Sequence, residues 1–155
     1  EAPVHASALR ELIERSGRDT TAFAHFRHGR EKGLLLRLRT GAEQALGEDL
    51  HPSLRKLDVL VLSRLIFQRS LGYSLEGLDN EERFLYESDM GRALHSVASG
   101  ACEMGFFLNP TRIDHVREVA SNRLVMPRKS TYFYPKVPSG LVFNRMNPHE
   151  LIHAP

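Results

Sequence analysis

A chain of 155 residues, 41% apolar and 26% charged, is long enough for one ordinary hydrophobic core and too apolar for wholesale disorder. Its 21 basic and 19 acidic residues leave a formal charge of +2, so the chain as a whole is not a polyanion binder. A single cysteine excludes an internal disulfide and favours a cytoplasmic location, and nothing approaches the ~20 apolar residues of a membrane span.

Ala6 to Arg15 places Leu9, Leu12 and Ile13 on one side of an amphipathic helix that Ser16-Gly17 closes. Thr20 to His28 then alternates, with Phe23, His25 and Arg27 opposite Ala22, Ala24, Phe26 and His28. Gly29 to Gly33 is a turn and Leu34 to Arg39 a second strand, which together predict a β-hairpin near the amino end. Gly41 to Pro52 reads as a connector or a short helix. Leu57 to Leu71 is the longest apolar segment; Asp58 can cap it, Gly72 stops it, and Val59, Leu62, Leu65, Ile66 and Arg69 trace its face. A helix apolar over so much of its girth belongs in the core.

An acidic loop follows from Leu75 to Glu82, then a short strand from Arg83 to Glu87. Tyr73 to Asp89 carries six acidic residues against Arg83, whereas Asn109 to Pro155 carries seven Lys or Arg against three acidic residues. That asymmetry predicts an acidic shoulder and a basic end. Ser88-Asp89 starts a helix through Met90, Ala93, Leu94, Val97 and Ala98, ended by Gly100. Ala101 to Leu108 has the near-continuous apolar pattern of a strand buried on both faces. Asn109-Pro110-Thr111 opens a further helix, where Thr111 with Asp114 matches a capping box and Ile113, Val116 and Ala120 face inward. Leu141 to Met146 is a last strand.

These elements predict an α+β fold: one mixed sheet of about five strands with helices packed on it, the Leu57 to Leu71 helix foremost. Residues 1–155 read as a single domain with a flexible tail at 147–155. With a start at Glu1-Ala2-Pro3 and no initiator Met, the chain is expected to be a fragment of something longer.

The loudest catalytic string is His149-Glu150-Leu151-Ile152-His153, a literal H-E-x-x-H. Pro148 precedes it and Ala154-Pro155 follows, so there is no downstream ligand and a helix this short frays. The zinc protease reading is rejected, and no metal site is expected. His95 and His115 sit on amphipathic helices beside charged residues, as rim positions do. His25 and His28 fall on opposite strand faces and form no ligand pair. Cys102, in an apolar run, is a small hydrophobe. No serine has the elbow and placed base of a nucleophile.

The better signal is Met126 to Gly140. Three prolines and a closing glycine keep it out of regular helix. Arg128, Lys129 and Lys136 supply cationic donors, and Ser130, Thr131, Tyr132 and Tyr134 supply hydroxyls. A strand running into Asn109-Pro110-Thr111 and a helix start offers free backbone N–H groups to an anion. The expected anion-binding set is therefore Asn109, Thr111, Arg128, Lys129, Ser130, Thr131, Tyr132, Tyr134 and Lys136. Against it stands the plainer reading that Asn109 and Thr111 cap their helix and the lysines are solvated.

At these residues the chain resembles a prokaryotic family. Leu57-Asp58-Val59 with Val61-Leu62 and Leu71-Gly72, Phe107-Leu108-Asn109-Pro110-Thr111, Met126-Pro127, Lys129-Ser130-Thr131-Tyr132-Phe133-Tyr134-Pro135-Lys136 and Ser139-Gly140-Leu141-Val142 look like the carboxy-terminal part of the family catalogued as domain of unknown function 1015. The similarity spans Phe23 to Met146. The family has no settled biochemical role. Its longer members carry an upstream Asp-Gly-His-His-Arg element similar to that of ParB-like and sulfiredoxin-like folds, some of which bind nucleotides or phosphorylate serine. This sequence lacks that element, and Arg128 stands where the family more often has glutamine.

The resemblance and the loop together predict a carboxy-terminal domain that contributes a basic loop to a site for a phosphate-bearing small molecule or nucleotide. If phosphoryl chemistry is involved, the chain holds at most half of its site. Two rival expectations are a nucleic-acid-binding module, from the basic end and the ParB-like relatives, and a structural or oligomerisation domain partnered by the missing amino-terminal region. No cofactor is identified and no membrane association is expected.

Overall fold

In the computed structural model, which describes residues 5–74, 76–80, 82–127 and 129–131, three strands form one antiparallel sheet in the order β2–β1–β3. They are β1 (Ala22–Arg27), β2 (Leu34–Arg37) and β3 (Met104–Leu108). The expected hairpin is present, with Ala22 opposite Arg37 and His25 opposite Leu34. β3 runs antiparallel along the other edge of β1, with Phe23 opposite Leu108 and Arg27 opposite Met104.

Because successive strand residues point to opposite faces, β1 feeds two cores. Ala24 and Phe107 pack with Leu9 and Ile13 of α1 (Ala6–Ser16), and Met90, Ala93 and Leu94 of α4 (Met90–Ala98) close over them. Phe23 packs on the other face with Leu46, Val61 and Leu62, joined by Leu65, Ile66, Phe67 and Phe106. The order is therefore helix, sheet, helix, with each fully buried aliphatic side chain contributing about 1.5–3 kcal/mol.

Several local signals act as the sequence predicts. Gly17 closes α1, its N–H donating to Ile13 O at 2.8 Å. Asp89 caps α4 by accepting from Arg92 N at 2.8 Å, and Gly100, with φ 80°, turns the chain after it. The connector after β2 holds a 3-10 helix, Ala42–Leu46, that inserts Leu46 into the second core.

Other expectations are corrected. Among the described residues the sheet has three strands, all antiparallel, in place of a mixed sheet of five. Residues 83–87 are not a strand: Arg83 N and Phe84 N both donate to Asn80 O, and Phe84 instead stacks edge-on against Phe67 and Tyr73, at 5.2 and 5.1 Å. The expected strand at 141–146, like the 147–155 tail and its histidine string, lies outside the described residues. β3 begins at Met104 and buries Phe107 chiefly, because it is an edge of an antiparallel sheet and not the centre of a parallel one.

The Leu57 to Leu71 segment is not one regular α-helix. α3 (Asp58–Val61) passes into a π-helix, Leu62–Ser70, in which Leu71 N reaches back to Ile66 O at 2.9 Å. Along this segment Leu57, Val61 and Leu62 are the buried residues, and Leu65, Ile66 and Phe67 pack half-buried against the second core, while Arg69 of the expected face is exposed. Leu12 of α1 is 36% exposed, so Leu9 and Ile13 carry that contact.

Candidate functional site

α5 (Ile113–Ser121) follows β3 after the Asn109-Pro110 step and packs against α2 (Pro52–Arg55). Its start is one residue later than the capping-box pattern requires. Arg112 is the N-cap, in an extended conformation, and no side chain caps the helix. The inward face also differs from the expected one: Ile113 is 62% exposed, Ala120 is exposed as well, Val116 is half-buried, and Val119 is the residue buried, at 1%.

Thr111 is thereby freed for another partner. Its Oγ1 donates to Ser130 O at 2.6 Å, tying segment 129–131 to the approach to α5. Ser130 itself folds back, with both its N–H and its hydroxyl donating to Pro127 O. Lys129, at the tip of this turn, is exposed and has φ 58°. A lysine in the left-handed region costs about 1–2 kcal/mol relative to glycine, a strain that neighbouring contacts must hold in place. Thr111, Lys129 and Ser130 are thus brought together. Thr131 is exposed, and Arg128, Tyr132, Tyr134 and Lys136 lie outside the described residues.

Asn109 faces a different way. Its Nδ2 donates to Ile13 O at 3.3 Å, covering the carboxy end of α1. A Cβ built on Gly17 would clash with that same Nδ2 and approach Ile13 O at 3.1 Å, so glycine there makes room for the amide. The amide is also placed to donate to the carboxylate of Asp58, as is the hydroxyl of buried Thr21. Asn109 Oδ1 is buried with no hydrogen-bond partner among the described residues.

Asp58 is the group that sequence reasoning under-read. It was expected as a cap, but Leu57 is the N-cap of α3 and no side chain serves there. The Asp58 carboxyl instead enters the seam between the start of β1, the β3–α5 step and α5. Burial pushes its pKa above the usual aspartate value, and the Thr21 hydroxyl, the His115 ring and the Asn109 amide offset this in part. A carboxyl so placed exchanges its proton at milder pH than a surface aspartate, the property that acid–base chemistry draws on.

The seam continues along α5 in two further polar pairs. Lys56 Nζ lies 2.8 Å from Glu118 Oε1, and this bond holds the Glu118 carboxyl below its usual range. Asn122 Nδ2 donates to Ser53 Oγ at 3.1 Å. His25 and His28 are used structurally: His25 Nδ1 donates to Gly105 O at 3.2 Å and His28 Nδ1 to Val97 O at 3.0 Å. Among the described residues no cluster of His, Cys, Asp and Glu is arranged to hold a metal ion. None of the described helices is long and apolar enough to cross a membrane.

Comparison with family models, with curated proteins and with solved structures finds no match to this chain. The family resemblance therefore rests on the quoted motifs alone.

Proposed function

We propose that this chain is the carboxy-terminal domain of a larger protein of the domain-of-unknown-function 1015 family, and that segment 129–131 with the start of α5 forms part of a site for a phosphate-bearing small molecule, a nucleotide foremost. One observation carries the reading: the 2.6 Å bond from Thr111 to Ser130 O draws the lysine-bearing turn onto a helix start that no side chain caps. Backbone N–H groups at such a start, with an ammonium beside them, are what a phosphate group binds. Strain at Lys129 supports it further, since off-centre backbone of this kind collects at ligand sites. Asp58 and Asn109 then act as the wall that fixes the β3–α5 step, because the Asn109 amide is already spent on Ile13 O and Asp58.

The test is binding of inorganic phosphate, ADP and ATP to the intact chain by calorimetry and thermal shift. Binding of a phosphate ligand that Lys129→Ala weakens roughly tenfold and Thr111→Val weakens as well is the expected result. If none of the three ligands binds, or if both variants bind as the parent does, the reading fails and an architectural role takes its place.

A further inference from the structure

The β1–β2 hairpin concentrates positive charge. From His25 to Arg39 the sequence carries Arg27, Arg30, Lys32, Arg37 and Arg39 against Glu31, a net of +4 within a chain of net +2. His25, Arg27, Arg30, Glu31, Lys32 and Leu34 line an open concavity of about 620 Å³ on this hairpin. We propose that this concavity binds single-stranded nucleic acid, through its phosphodiester backbone and a base laid against the His25 ring.

Three features carry this. The cations are presented on an anchored ribbon. His28 N donates to Glu103 O at 2.8 Å, its ring donates to Val97 O at 3.0 Å, and Arg30 N closes the turn on Arg27 O at 3.1 Å. Gly29, with φ 71°, reverses the chain there, and Gly33 passes over the Phe26 ring where a Cβ would clash. The acids present do not cancel the charge. Glu103 pairs with Arg27 at 2.8 Å, but with side chains 68% and 52% exposed that pair is weak enough to exchange for a phosphate.

The third feature selects among polyanions. One flat ring lines the concavity: His25, which is held by stacking on Phe106 of the second core, with centroids 4.5 Å apart and planes 23° from parallel. Leu34, 58% exposed, stands on the opposing strand at the position paired with His25. A cationic groove with an aromatic platform is the arrangement that holds single strands, whose unstacked bases have faces to offer. An acidic peptide has no use for the stacked ring, and a duplex keeps its bases covered.

The proposal is independent of the phosphate site at α5, and shares no residue with it. Fluorescence anisotropy on the intact chain tests it, using labelled oligothymidine and oligouridine of roughly 20 nucleotides and a duplex of the same length. Binding to a single strand is expected, with log K falling against log salt at a slope of about −2 for three phosphate contacts. Arg30→Ala/Lys32→Ala should reduce that slope to about −0.7 and weaken binding at least tenfold near 0.1 M salt, while Arg10→Ala on α1 leaves both unchanged. A DNA or an RNA preference supports the proposal and names its source. Absence of binding at about 50 mM salt, tighter binding to duplex, or an undiminished Arg30→Ala/Lys32→Ala variant overturns it. Circular dichroism of that variant establishes that the fold is intact, as both positions are in the exposed turn.

Discussion

Replacing Gly17 by alanine should destabilise the protein, although alanine normally improves a helix end. At Gly17 φ is −96°, a value any residue adopts, so backbone strain plays no part. By itself the change would stabilise by about 0.4–1 kcal/mol through the unfolded chain. The added Cβ, however, occupies the space of Asn109 Nδ2. Displacing that amide forfeits its bond to Ile13 O, about 1 kcal/mol, and its contact with the Asp58 carboxyl, about 0.5–1.5 kcal/mol. The balance is a net loss of about 0.5–2 kcal/mol, or a fall in Tm of roughly 1–8 °C at this length. Urea denaturation reads it as a lower midpoint with an unchanged m value. In an Asn109→Ala background the clashing group is gone, and the same Gly17→Ala change should be neutral or slightly stabilising. Equal losses in both backgrounds, or a Gly17→Ala variant as stable as the parent, would refute the reasoning.

Further outcomes follow from the same contacts. Asp58→Asn should flatten the acid side of the stability profile. The folded protein holds the Asp58 proton more tightly than the unfolded chain does, so this carboxyl favours folding below the ordinary aspartate pKa of about 3.9 and ceases to as pH rises through its folded value. The variant should therefore gain on the parent from about pH 4 towards neutrality in denaturant titrations, and parallel profiles would count against a buried carboxyl. Leu57→Ala should cost about 2–5 kcal/mol, whereas Leu12→Ala, on the outer side of α1, should cost under about 1 kcal/mol. Lys129→Gly should leave the protein as stable or up to about 1 kcal/mol more so while removing the cation, which separates charge from conformation in phosphate titrations.

Elements set by neighbouring residues were legible in the sequence. The hairpin is written in the alternation of Ala22 to His28, and α4 in Asp89 and Gly100, because a cap or a turn needs only a few adjacent positions. What was not legible depends on partners far along the chain. Thr111 with Asp114 is a good local cap, yet a carbonyl at Ser130 takes its hydroxyl and the helix starts one residue later. Phe84 in an apolar run reads as strand until Phe67 and Tyr73 supply a packing site off the sheet. In the candidate site, Asn109 was singled out as a cap or an anion ligand, but its contacts lie at Ile13 and Asp58, and no spacing encodes a meeting across 96 residues. Asp58 and His115 were each read singly for the same reason. The hairpin cations were visible as letters, but the concavity they line required the fold.

The strand β1 has a mechanical consequence. Phe23 and Ala24 are adjacent, yet each is a wall of a different core, so a shift of one residue in this strand would empty both at once. Neither helical layer can detach without withdrawing a face of the same short ribbon. The two clusters are thus expected to melt together, in one cooperative transition.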